Sequence, residues 1–139
     1  MAAMTQPAAP FAETHHGFAT TAALVVLFWI AAAGAVATAQ TRLHPLSPAA
    51  ATIATIAAIV LASYGYARFC ARNAGITHAL GVGAAWLVLG ITTEVVMAAR
   101  LAHDWSGVLG SPDRPLLRNV LFFVWIFAPA LFARREVED

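Results

Sequence analysis

Few residues in this sequence could carry chemistry, and they are scattered. Glu94 lies in GITTEVVMAAR, residues 90–100, an acid set inside an apolar run, and no other acidic residue occurs between Glu13 and Asp104. A carboxylate withdrawn from water needs a partner, because burying an unpaired charge is very costly. Arg100 follows on the same run, but six residues correspond to about 240° around a helix, so the two side chains diverge. Arg118, early in the next apolar run, comes within reach of Glu94 if those two helices pack antiparallel. The expectation is a buried ion pair, Glu94 with Arg118, in which deleting one partner strands the other. Two other readings stay open: an ion or substrate site, and a carboxyl group kept neutral by desolvation. Counting back along the same helical face gives Gly90, Leu87 and Gly83, where small residues let another backbone approach.

The remaining reactive side chains form no constellation. His15 and His16 precede the first apolar run, His44 and His103 fall in links, and His78 opens the third run, with no pair at the i, i+4 spacing of a helical metal site. Cys70 is the sole cysteine, so it has no intramolecular disulfide partner. Thr92 and Thr93 can return hydroxyl hydrogen bonds to their own helix. Neither a nucleophile with its base nor a phosphate-binding loop is recognisable, so no enzymatic activity, metal or cofactor is expected. Trp29, Trp86 and Trp125 lie within apolar runs, where packing is their expected role. In a transport reading, Trp86, Gly90 and Trp125 would instead line a cavity.

The elements that must position these residues follow from composition. Of 139 residues, 60% are hydrophobic and 11% charged, far from the near-half apolar and quarter charged mix of soluble domains. A net charge of +1 offers no attraction for nucleic acid. All eight basic residues are arginine and alanine is abundant, which reads as the codon usage of a GC-rich bacterial genome. Apolar windows of about 20 residues, the length that crosses a bilayer core, occur at about 17–39, 48–66, 76–99 and 116–133. Their continuity excludes the alternation of a β-barrel. The expected fold is all-α, an integral membrane four-helix bundle of two antiparallel helical hairpins. A polar tail, 1–16, precedes the bundle of 17–134, and an acidic tail, 135–139, follows it. The first run resembles a signal sequence in its AVA and ATA tripeptides, but it lacks a basic leader and is long, so a retained helix is expected.

Ser47 and Pro48 form an N-cap and first-turn proline for the second helix. Pro129 predicts a bend near the end of the fourth. Four crossings put both termini on one side, with Arg68, Arg72, Arg134 and Arg135 there and Arg42, Arg100, Arg114 and Arg118 opposite. Drawing Arg118 into the bundle tips this even count towards cytoplasmic termini. Trp29, Arg42 and Ser47-Pro48 are echoed by Trp86, Arg100 and Ser111-Pro112, a faint sign of two related hairpins.

The second half carries a longer pattern: GVGAAWLVLGITTE, then Trp105, Leu109, Arg118 and PALFARR. It resembles a family of small uncharacterised bacterial four-span membrane proteins, whose third helix reads G-x-x-W-L-x-L-T-x-x-F-E. The matching positions are Gly83, Trp86, Leu87, Leu89, Glu94, Trp105, Leu109, Arg118 and Pro129, whereas Gly90 and Thr93 replace the pattern's threonine and phenylalanine. The resemblance covers about the last 60 residues and implies a multi-pass protein of the bacterial inner membrane. The glycine and alanine faces favour a non-enzymatic bundle acting by association in the lipid bilayer, as a homo-oligomer or within a larger membrane complex. The rival reading is a small proton-coupled exporter or channel, working as a dimer with Glu94 as titrating site.

Overall fold

A computed structural model describes residues 13–101, 108–110 and 113–134, with side chains described from Gly17 onward. Within them the chain is helical: α1 Glu13–Leu43, α2 Pro48–Phe69, α3 Ile76–Leu101 and α4 Pro115–Leu131, with no strand among the described residues. Three stretches, Gly17–Leu43, Pro48–Phe69 and Ile76–Leu101, are long and apolar enough to cross a membrane. The fourth helix is apolar but only 17 residues long, about 25 Å at 1.5 Å per residue. It starts at Pro115 and stops two residues beyond Pro129, short of the 116–133 expected. Pro129 offers no N–H to the carbonyl one turn back, so the helix is weakened where it ends.

The other helices are longer than their apolar windows. The α1 helix runs on through Gln40, Thr41 and Arg42, which the sequence reading assigns to a polar link. Those polar groups are accommodated locally. The buried Gln40 donates Nε2–H to Thr55 Oγ1 on α2 at 2.9 Å, and Thr41 returns its hydroxyl to the Ala37 carbonyl at 2.9 Å. Helix α1 stops at Leu43, and Pro45 disfavours helical backbone at the residue before it. Ser47 is the N-cap of α2, its Oγ accepting from the Ala50 N–H at 3.2 Å, with Pro48 in the first turn. The corresponding start of α4 differs. Arg114 occupies the N-cap position without a side-chain cap bond, and Ser111 and Pro112 lie outside the described residues.

Each helix buries one stripe. On α2 it is Ala51, Thr55, Ile59, Ser63 and Tyr66; on α3 it is Ala79, Val82, Gly83, Trp86 and Gly90; on α4 it is Leu121, Trp125, Ala128 and Pro129. Spacings of three and four keep each set on one helical face. Helix α1 packs on α2 and α3, and α4 on α3 and α2. Rings join the stripes at the centre. Trp86 and Trp125 meet edge to face at 6.0 Å, Tyr66 meets Trp86 at 6.3 Å, and Phe28 meets Tyr66 at 5.8 Å. Outside this core, large apolar side chains are exposed on every helix, among them Phe18, Leu61, Val95 and Phe123.

Candidate functional site

Helices α3 and α4 bring Glu94 and Arg118 together. Arg118 Nη2 donates to Glu94 Oε2 at 2.8 Å. The other carboxylate oxygen, Oε1, accepts from the backbone N–H of Leu109 at 3.0 Å. Glu94 therefore holds three pieces of chain at once: its own helix, the link at Leu109 and the first turns of α4. The pair is part-buried, with the Glu94 side chain 14% exposed and that of Arg118 31%. Arg118 also lies over the Phe122 ring one turn on, its guanidinium carbon 5.6 Å from the ring centre, a cation–π contact that fixes the side chain's direction.

Close packing on the same α3 face sets this geometry. A Cβ built on Gly83 would overlap the carbonyl oxygen of Ile126, so only glycine lets α4 come this near. One turn below Glu94, a Cβ at Gly90 would sit 3.0 Å from Leu109 Cδ2. Leu109 is fully buried, and its side chain covers Gly90 while its N–H reaches Glu94. Gly110 follows with φ +90°, a left-handed conformation that suits glycine, and a Cβ there would sit 2.9 Å from Leu121 Cδ1 on α4.

Trp86, Gly90 and Trp125, the residues a transport reading places around a cavity, lie in the packed interior. Trp86 and Trp125 are fully buried and packed edge to face, and Gly90 is covered by Leu109. Large rings interlocked with small residues fill this interior. Pockets among the described residues include openings around Tyr64, Arg68 and Arg72 and around Cys70, Asn73 and His78, and a small one between Tyr66, His78 and Pro129. Trp86 Nε1 donates to the Val25 carbonyl on α1 at 2.9 Å, whereas the buried Nε1 atoms of Trp29 and Trp125 have no hydrogen-bond partner.

The contact between Tyr66 and His78 is one that sequence reasoning misses. Tyr66 Oη lies 2.9 Å from His78 Nε2, with the rings stacked, and this ties the end of α2 to the start of α3. The histidine is visible in the sequence as a lone residue opening a helix, but no period links it to Tyr66 twelve residues earlier. At the same end Arg134 donates its backbone N–H to the Ala74 carbonyl and Nη1 to Asn73 Oδ1, both at 3.3 Å. Trp105 and His103 lie outside the described residues, as do the side chains of His15 and His16. Among the described residues no three His, Cys, Asp or Glu side chains gather as a metal site.

Chemically, the Glu94 arrangement is a clamp. Both carboxylate oxygens are engaged by donors of the chain itself, one charged and one backbone. Comparison with known proteins returned no matching family model, no matching curated protein and no matching solved structure.

Proposed function

We propose that this chain is a four-crossing integral membrane protein, two antiparallel helical hairpins that work by lateral association in the bilayer rather than by catalysis. Three helices have the length and apolarity for crossing. The 17 residues of α4 reach the lower limit of about 17 for a span. Contacts between Gly83 and Ile126, and between Glu94 and Arg118, support an antiparallel pairing of α3 and α4. The Gln40–Thr55 and Phe28–Tyr66 contacts do the same for α1 and α2. Exposed large apolar residues around the bundle suit a lipid surround. The resemblance to four-span bacterial inner-membrane proteins points the same way. With Arg118 held by Glu94, the remaining arginines favour cytoplasmic termini.

The observation that carries the associative reading is an open strip on α1. Ala31, Gly34, Thr38 and Thr41 are exposed along one face, and a Cβ at Gly34 would meet nothing within 4 Å. Thr38 and Thr41 send their hydroxyls to the carbonyls of Gly34 and Ala37, leaving a low, smooth surface. Without a hydrophobic drive between helices in lipid, such small-residue faces are where backbones approach closely. The partner is a second copy or another membrane helix. The exporter reading finds less support, since the Glu94 oxygens are both engaged and the tryptophans are packed.

Gly34→Leu tests it. The substitution fills open space, so the monomer's thermal midpoint should hold while cross-linked or co-purifying species fall at least severalfold. Unchanged association in Gly34→Leu, or a parent chain strictly monomeric and alone after mild solubilisation, would overturn the reading.

A further inference from the structure

We infer that Arg68 and Arg72 form a binding site for the phosphate of an anionic phospholipid headgroup at the arginine-rich end of the bundle. The inference rests on the membrane placement proposed above. Arg68 stands in the last turn of α2 and Arg72 in the link that follows. Both line a pocket of about 220 Å³ completed by Tyr64, Ala67 and Phe132. The pocket thus lies between α2 and the residue that closes α4. Tyr64 and Phe132 meet edge to face at 5.5 Å, giving the pocket a defined aromatic wall.

Charge makes the case for an anion. Among the described residues the ion pair is Arg118 with Glu94, and neither Arg68 nor Arg72 has a carboxylate partner. Arg134, the other described arginine of this end, is engaged with Asn73 and Ala74. Two guanidinium groups around one pocket repel one another until an anion joins them, and their planar forks match phosphate oxygens. Arg72 also lines a second opening of about 390 Å³ with Asn73 and His78, so its charge is reachable from two directions.

A lipid rather than a free ion is favoured by what flanks the arginines. Tyr64 is half exposed, and Phe69 and Leu131 are 80% and 71% exposed. Tyrosine is enriched at headgroup level, and the exposed side chains of Phe69 and Leu131 offer acyl chains an apolar surface. Basic pockets between membrane helices are where anionic headgroups bind.

The experiment compares lipid adducts retained on the full-length protein in native mass spectrometry, after exchange into nanodiscs of phosphatidylglycerol or of phosphatidylcholine. The expected result is retained phosphatidylglycerol in preference to phosphatidylcholine. That preference should fall about fivefold in each of Arg68→Gln and Arg72→Gln, and stay unchanged in Arg42→Gln at the other end. Equal retention of the two lipids, or a preference that survives the double variant, overturns the site. So does displacement of phosphatidylglycerol by millimolar inorganic phosphate, which would assign the pocket to the free ion. A preference that appears only in Glu136→Gln/Glu138→Gln/Asp139→Asn would assign it to the chain's own acidic tail and likewise overturn it. Release of the parent chain from membranes by alkaline carbonate would instead overturn the membrane placement itself. A chain that stays in the pellet but shows no lipid preference sinks the lipid site alone.

Discussion

At the scale of single residues, Glu94 links two other pieces of chain through different donors. Glu94→Leu removes the acceptor for Arg118 and for the Leu109 N–H together, at about 1.5 to 3 kcal/mol for a hydrogen bond to a charged group. Glu94→Gln keeps one carbonyl oxygen and should lose less. Thermal unfolding in detergent should rank the parent above Gln and Gln above Leu. Exchanging the charges, Glu94→Arg with Arg118→Glu, restores attraction but gives the Leu109 N–H no acceptor in place of Glu94. Its midpoint should fall between the single variants and the parent. A double variant no better than either single one would show that the contact contributes little. The acid and the base could be matched from sequence because each interrupts an apolar run. The Leu109 N–H could not, since a backbone donor has no signature in residue type. Nor could Tyr66 with His78 or Gln40 with Thr55, where ordinary polar residues at helix ends are joined only by how the helices lie.

At the scale of elements, helix existence follows from continuous apolar runs, while the buried stripes and the helix ends are less legible, because runs apolar on every side do not mark which face turns inward. Gln40 to Leu43 look like a link, yet they stay helical because tertiary and local hydrogen bonds satisfy their polar groups. The motif GVGAA signals close contact without saying which glycine makes it. Residues two apart point about 200° apart on a helix, and only Gly83 faces α4. Gly83→Ala drives a methyl into the Ile126 carbonyl, so α3 and α4 must separate, with a loss of about 1 to 3 kcal/mol or more, as for overpacked cores. Gly81→Ala meets open space and should be neutral or stabilising by up to about 1 kcal/mol from helix propensity. Circular dichroism melts of the two variants check the contrast. Similar melts would mean that the close α3–α4 approach is not maintained.

At the scale of the whole molecule, the proposed topology sets which ends face which compartment. Leu46, 82% exposed in the link between α1 and α2, and Arg72, in the next link, then lie on opposite sides of the bilayer. In a Cys70→Ala background, a membrane-impermeant maleimide added to intact spheroplasts should label Leu46→Cys and leave Arg72→Cys unlabelled until the cells are opened. Equal labelling of both before lysis would remove the crossing of α2. Composition makes membrane-length apolar helices legible, because too few polar residues exist to cover a water-soluble exterior. It says little about orientation, since the arginines divide evenly until one is withdrawn into the bundle.

The clamp also orders events in time. Arg118 lies 24 residues after Glu94, and at synthesis rates of about 5 to 20 residues per second the acid leaves the ribosome seconds before its counter-charge. During that interval the third helix carries a carboxylate that lipid receives poorly. In the proposed topology it therefore has reason to linger at the insertion machinery until the fourth arrives, and the two settle into the bilayer as one unit.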